Sequence, residues 1–177
     1  MAGQRLTDKT ALAEQTGSGD LYMVVDVSDT TGSSAGTSKS IDSKFVIQTD
    51  KFSLTNSDVV ALHTDPKTLV GALSGYFVTV FNVSIFCTYA SSTELSSNNL
   101  YLGFDSSTDI EYWATHRDFM NAKTTDLSYV FSAYPGASGS YKAASTVNRP
   151  FEMWSNAAFN GGWSCEVYVT YAYTKIL

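Results

Sequence analysis

Hydrophobic and polar residues alternate along the run from Tyr76 to Tyr89, which contains no proline, glycine or formally charged residue. Successive side chains of a β-strand point to opposite faces, so the alternation predicts a half-buried strand. A helix is disfavoured because the β-branched and aromatic side chains would lose rotamer freedom in it. The predicted inward face contains Phe77, Phe81, Val83, Ile85, Cys87 and Tyr89. The predicted outward face contains Val78, Val80, Asn82, Ser84, Phe86 and Thr88.

Residues 165–175 repeat this alternation near the end of the chain. The predicted inward face contains Cys165, Val167, Val169, Tyr171 and Tyr173, whereas Glu166, Tyr168 and Ala172 are predicted to face outward. The two runs are predicted to form the centre of one sheet. They also place Cys87 and Cys165 on inward faces, where free buried thiols are favoured over a disulfide.

Shorter alternating runs bounded by turn residues predict further strands. They cover residues 21–28, 39–47, 52–54, 100–104, 127–133 and 151–154, and residues 112–120 suit either a strand or a short helix. Helical turns are predicted over residues 6–14 and 57–62, the second capped by Ser57. Residues 160–162 are predicted to be a hairpin turn before the last strand.

This pattern predicts a mainly β fold, an antiparallel β-sandwich or jelly roll formed by residues 51–177. Residues 1–50 are predicted to be an N-terminal attachment segment containing a short helix and a hairpin. Because a two-stranded hairpin is not stable alone, this segment is predicted to need a neighbour.

Composition and charge narrow the classes of function. The formal net charge is -6 and no cluster of lysine and arginine occurs, so nucleic acid is not expected as a partner. No apolar run is long enough for a transmembrane helix, and the sequence does not start like a secretory signal. We therefore expect no membrane insertion.

The sequence contains no recognisable catalytic or metal-binding set. His63 and His116 are the only histidines and fit no triad or metal-ligand spacing. We therefore predict a protein that is not an enzyme and has no cofactor.

Two groups of aspartates are candidate calcium ligands. They are Asp20, Asp26 and Asp29, and separately Asp105 and Asp109. Neither group follows the pattern of a calcium-binding loop, and turn formation explains both more simply. No metal site is predicted.

Aromatic residues make up 14% of the chain and leave two functions open. Exposed tryptophans, chosen from Trp113, Trp154 and Trp163, would favour a carbohydrate-binding β-sandwich module. Burial of outward aromatic side chains between identical chains would favour an assembly protein. Phe86 and Tyr168 are the predicted subunit-interface residues, because they make the outward faces of the two main strands only partly polar.

Two stretches resemble structural proteins of tailed bacteriophages. Residues 6–41 (LTDKTALAEQTGSGDLYMVVDVSDTTGSSAGTSKSI) resemble an N-terminal module of tail-fibre and other virion proteins, with the pattern GDLxxVVDxSDTTGSxxGTSK. Residues 54–91 and the closing GGWSCEVYVTYAYTKIL look like a β-sandwich domain of phage virion proteins. In that family a Gly-x-Gly precedes the long strand, where this chain has Ser74 and Gly75.

The resemblance implies a non-enzymatic structural protein of a bacteriophage virion, made in the host bacterial cytoplasm. It implies a homo-oligomer, with a trimer favoured, attached to other virion proteins such as the portal, the tail or the major capsid protein. The candidate attachment residues are Leu21, Val25, Asp26, Asp29, Thr37 and Lys39. A contribution to host adhesion, through a cell-surface glycan or protein, is a weaker implication.

Overall fold

The computed structural model describes residues 21–32, 34–42, 45–107, 110–132 and 141–176. The chain divides into two compact units between Gln48 and Thr49. The helix predicted over residues 6–14 lies outside the described residues. The mainly β class predicted from the sequence is confirmed.

The first unit contains an antiparallel hairpin. Strand β1 (Leu21–Asp26) pairs with β2 (Thr37–Asp42), with Leu21 opposite Asp42 and Asp26 opposite Thr37. Strand β2 therefore begins and ends earlier than the return strand predicted over residues 39–47. Gly36 precedes β2 with a φ of 112°, and a Cβ there would lie 2.8 Å from the carbonyl oxygen of Asp26, so the turn requires glycine.

Within the described residues, the second unit contains eight strands and two short helices. They are β3 (Gln48–Leu54), α1 (Asn56–Ala61), β4 (Lys67–Val70), β5 (Tyr76–Tyr89), β6 (Leu100–Phe104), β7 (Glu111–His116), β8 (Leu127–Ser132), α2 (Ala143–Thr146), β9 (Phe151–Ser155) and β10 (Trp163–Lys175). Strand β3 extends across residue 50, where the sequence analysis divides the chain. Helix α2 was not predicted.

The eight strands form two four-stranded sheets with the orders β3-β10-β5-β8 and β4-β9-β6-β7. Counted from β3, the first strand lies beside the eighth, the second beside the seventh, the third beside the sixth and the fourth beside the fifth. A long antiparallel ribbon rolled up on itself has this nested pairing, so the second unit is a jelly roll.

Apolar side chains from both sheets form the core. On β10 the buried residues alternate strictly from Trp163 to Tyr171, as predicted. Strand β5 does not keep one alternation, because the register with β10 shifts so that Thr170 pairs with Asn82 and Tyr171 with Val80. Phe81 is the extra residue of this β-bulge.

The bulge corrects the predicted faces of β5. Val78 and Val80, predicted outward, are in the core, whereas Phe81, predicted inward, is 41% exposed. Beyond the bulge, Val83 and Ile85 are fully buried as predicted.

The directly opposed Cys87 and Cys165 are both buried and both free. Burial raises the pKa of both thiols, that of Cys165 to about 12. They therefore act as small apolar core residues, as the sequence analysis favoured.

Two local predictions were wrong in detail. The N-cap of α1 is Thr55 and not Ser57, and Thr55 forms a capping box with Asp58. Residues 156–162 do not form a hairpin turn, because β9 and β10 lie in different sheets. Gly161 and Gly162 have φ values of 85° and 87° in this connection between the sheets.

Candidate functional site: the hairpin cluster and the aromatic face

Three of the predicted attachment residues meet at the loop end of the hairpin. Lys39 Nζ lies 2.8 Å from Asp26 Oδ2 and 2.9 Å from Asp29 Oδ2. The other carboxylate oxygens form turns, since Asp26 Oδ1 accepts a hydrogen bond from the amide of Ser28 and Asp29 Oδ1 accepts one from the amide of Thr31, both at 3.1 Å. We call Asp26, Asp29 and Lys39 the hairpin cluster.

Hydrogen bonds within the hairpin cluster shift the ionisation of its members. The bond from Lys39 holds the pKa of Asp26 well below its usual range. The hydroxyl of Thr31 and then Lys39 lower the pKa of Asp29 to about 2, and the same contacts raise the pKa of Lys39. Both carboxylates are thus occupied by donors of the chain itself, which fits a turn-forming role.

The remaining predicted attachment residues lie on the same hairpin. Thr37 Oγ1 accepts a hydrogen bond from the amide of Gly32 at 3.1 Å, and Leu21 is the first residue of β1. Val25 is 58% exposed and shares one face of the hairpin with Met23, which is 65% exposed. This face combines apolar side chains of β1 with serines of β2.

The predicted interface residues meet on the outer face of the sheet β3-β10-β5-β8. The rings of Phe86 and Tyr168 lie edge to face, with their centroids 5.7 Å apart. Lys51 on β3 adds a third side chain, with its Nζ 5.6 Å from the centroid of Tyr168 and 2.7 Å from a carboxylate oxygen of Glu166. This ion pair lowers the pKa of Glu166 and raises that of Lys51.

Two further apolar residues on this outer face were not identified from the sequence. Phe81 is brought outward by the bulge, and Val130 on β8 is 69% exposed. The alternation of residues 127–132 could have indicated that Val130 faces outward. No feature of the sequence marks the bulge that turns Phe81 outward. We call Phe81, Phe86, Val130 and Tyr168 the aromatic face.

Polar side chains between these apolar residues form hydrogen bonds with one another. Asn82 Oδ1 accepts a hydrogen bond from Ser84 Oγ at 2.9 Å, and the hydroxyls of Thr49 and Thr170 lie 2.8 Å apart. The aromatic face is therefore partly apolar, and these polar side chains within it are hydrogen-bonded to one another.

The tryptophans do not form an exposed platform. Trp163 and Trp154 are 1% and 6% exposed, and Trp113 packs partly buried against the core. Trp154 lies beneath Tyr101 and Tyr112 on the outer face of the other sheet, with ring centroids 5.8 and 5.9 Å apart.

No catalytic constellation includes the histidines in the part of the chain that the structure describes. His63 is exposed beside α1, and its ring nitrogen lies 3.3 Å from the carbonyl oxygen of Val60. His116 ends β7 and contacts the rings of Phe119 and Tyr129. Among the described residues, no three histidine, cysteine, aspartate or glutamate side chains are placed to hold a metal ion. The described helices include none of the length and apolarity needed to cross a membrane.

Comparisons with known proteins give structural likenesses only. No protein-family model matches the chain, and no curated protein sequence matches it significantly. A chain of the cyanophage Pam1 capsid asymmetric unit is similar over 97% of this chain and 98% of its own length, with 13% identity and a TM-score of 0.37. A chain of the full particle of Israeli acute paralysis virus heated to 63 degrees is similar over 96% of both chains, with 9% identity and a TM-score of 0.31.

Proposed function

We propose that this protein is a non-enzymatic structural component of a bacteriophage virion, and that it assembles into a homo-oligomer through the aromatic face. The observation that carries this proposal is the side-by-side placement of Phe86 and Tyr168 on the outer face of the sheet. Phe86 is 46% exposed although a flanking aromatic ring already packs against it. Burial of such a surface by a second copy would remove apolar area from water.

A homotrimer is the proposed stoichiometry. Closed symmetry is the common arrangement of identical chains, and each copy then uses the same surface. The choice of three copies rests on the resemblance to phage proteins. The jelly-roll fold supports the proposal by analogy, because viral capsid domains use this architecture, although a fold alone does not define a function.

The N-terminal segment is the proposed attachment element to the tail or capsid surface. The hairpin cluster fixes the turn of this segment and leaves Met23 and Val25 exposed on one face. An apolar strip on a hairpin of two strands suits docking against a larger sheet or groove. The proposed partners are other virion proteins, such as the portal, a tail protein or the major capsid protein.

The carbohydrate-binding alternative is less well supported as the main function. It was expected to use exposed tryptophans, and all three tryptophans are buried or partly buried. Adhesion to a host cell surface is retained as a secondary role of the jelly roll.

Sedimentation velocity of the full chain tests the proposed assembly. The wild-type protein is expected to sediment as a trimer of the 19.2 kDa chain at micromolar concentration, and Phe86→Asp as a single chain. Tyr112→Asp is the matched control, because Tyr112 is 49% exposed, also contacts aromatic rings, and lies on the outer face of the other sheet. A wild-type mass of one chain, or an equal effect of both substitutions, would overturn the proposal.

Attachment is tested by incorporation into purified virions. Lys39→Glu breaks both ion pairs of the hairpin cluster and is expected to reduce incorporation while the protein still forms oligomers. Lys175→Glu, at an exposed position on β10, is the charge-matched control and is expected to incorporate normally. Normal incorporation of Lys39→Glu would contradict the attachment role.

A further inference from the structure

A cleft of about 420 Å³ opens where β7 and β8 meet at one side of the jelly roll. These strands are the edges of different sheets, and the connection between them crosses from one sheet to the other. The cleft is lined by His116, Asp118, Asn121, Lys123, Leu127, Ser128 and Tyr129. Its volume lies within the range of small-molecule sites.

The backbone of the connection is strained beside this cleft. Asp118, Met120 and Ala122 have φ values of 50°, 59° and 56°, although none of them is glycine. Each such residue costs about 1 to 2 kcal/mol in isolation, so three within five residues must be held by their surroundings. Strained backbone of this kind concentrates at functional sites.

Hydrogen bonds to the loop of residues 94–99 hold the strained segment. The amides of Phe119 and Ala122 donate to the carbonyl oxygens of Asn98 and Glu94 at 3.0 and 2.7 Å. The Glu94 side chain is 1% exposed and accepts a hydrogen bond from the amide of Asn160 at 2.6 Å. Three loops are thereby locked together, and the cleft wall is organised before any ligand binds.

The polar groups of the cleft are only partly used by the protein. The hydroxyl of Tyr129 donates to the sulfur of Met120 at 3.6 Å, a weak acceptor, and its oxygen remains able to accept. A ligand rich in both donors and acceptors would satisfy these groups better than an apolar one.

The charges of the cleft favour a neutral ligand. Lys123 and Asp118 contribute opposite charges to the lining, and the chain as a whole carries a net charge of -6. A phosphate or a polyanion would meet the Asp118 carboxylate, whereas sugar hydroxyls can donate to Asp118 and accept from Lys123. Leu127 and the Tyr129 ring supply the apolar surface that the C–H groups of a sugar ring require.

We propose that this cleft binds a neutral saccharide. Asp118 and Asn121 accept hydrogen bonds from its hydroxyls, and Lys123 donates to them. This site does not depend on the proposed virion role, because the lining belongs to one chain and is separate from the hairpin cluster.

Titration of the ¹⁵N-labelled full chain with methyl glycosides of glucose, galactose, mannose, rhamnose and N-acetylglucosamine tests the proposal. At least one glycoside is expected to shift the amide signals of residues 116–129 at millimolar concentration. Lys123→Met is expected to weaken this binding about tenfold, the loss of one hydrogen bond to a charged group. Asp118→Asn, which keeps a residue type tolerated at positive φ, is expected to weaken it as well.

The matched controls are Lys175→Met and Asp65→Asn, which remove exposed charges away from the cleft. Both are expected to bind like the wild-type chain. The proposal is overturned if no glycoside shifts the signals of the cleft, if sodium acetate or inorganic phosphate shifts them equally, or if the control variants weaken binding as much as Lys123→Met. Amide spectra and melting temperatures of each variant separate loss of binding from loss of folding.

Discussion

Adjacent residues of β5 should respond in opposite ways to the same new charge. Ile85 is fully buried between the sheets, whereas Ser84 lies on the outer face opposite Tyr168 and Val130. We therefore expect Ile85→Asp to unfold the protein at neutral pH and Ser84→Asp to leave it folded.

The size of the effect follows from the burial of Ile85. Losing the apolar side chain costs about 2 kcal/mol of unfolding free energy. Keeping the new carboxyl protonated at pH 7, against an unfolded pKa of about 3.9, costs about 4 kcal/mol more. The sum of about 6 kcal/mol matches the whole stability of many domains, which is about 5 to 15 kcal/mol. Ser84→Asp should cost about 1 kcal/mol, because it replaces one hydrogen bond to Asn82 at a solvent-exposed site.

Urea unfolding monitored by tryptophan fluorescence and circular dichroism measures both variants relative to the wild type. A buried carboxyl has a raised pKa in the folded state, so its penalty is largest at neutral pH and decreases as the pH falls towards the unfolded pKa. The penalty of Ile85→Asp should therefore shrink by about 4 kcal/mol between pH 7 and pH 4, so that a urea transition absent at pH 7 reappears at pH 4. Ile85→Asn, which cannot ionise, should show no such recovery. Equal destabilisation by Ile85→Asp and Ser84→Asp, or a deficit of Ile85→Asp that does not change with pH, would refute the assignment of the two faces.

Three further outcomes follow from the structure. Gly103→Ala places a Cβ against the main-chain oxygen of Glu111 on β7 and should lower the melting temperature by several degrees, whereas Gly71→Ala, which meets nothing within 4 Å, should not. Equal melting temperatures would contradict the close approach of β6 and β7 at Gly103, where the register of the two strands shifts. The hairpin turn should lose its order as the pH falls from about 4 towards 2. The pKa of Asp29 is lower in the folded turn than in the unfolded chain, so the ionised carboxylate stabilises the turn and protonation removes that stabilisation. Turn signals that stay unchanged at pH 2 in nuclear magnetic resonance spectra would argue against this role of Asp29. Cys87 and Cys165 should not react with a thiol reagent at pH 8 until denaturant is added, since burial raises both pKa values; rapid labelling of the native protein would show that the sheet opens.

Periodicity alone determined much of the fold. Strand β6 was predicted with the bounds observed, and the alternating buried residues of β10 from Cys165 to Tyr171 were predicted, because side chains on a regular strand must alternate. The pairing of Phe86 with Tyr168 was also accessible, since both residues lie outward on strands expected to be neighbours. The sequence therefore predicted two of the four residues of the aromatic face, Phe86 and Tyr168, and the role of this face in assembly stays a prediction.

Tertiary structure decided the features that local patterns do not encode. The bulge at Phe81 reverses the face of Val78 and Val80, because β5 must stay paired with β10 while it bends, and a strict period of two cannot represent an extra residue. The order of the strands was also unpredictable, since β9 and β10 are consecutive in the chain but lie in different sheets. The cleft between β7 and β8 depends on that order, because its lining comes together only where the edges of two sheets meet. Local sequence specifies which side chains face inward, whereas long-range strand pairing determines which of the outward ones become neighbours.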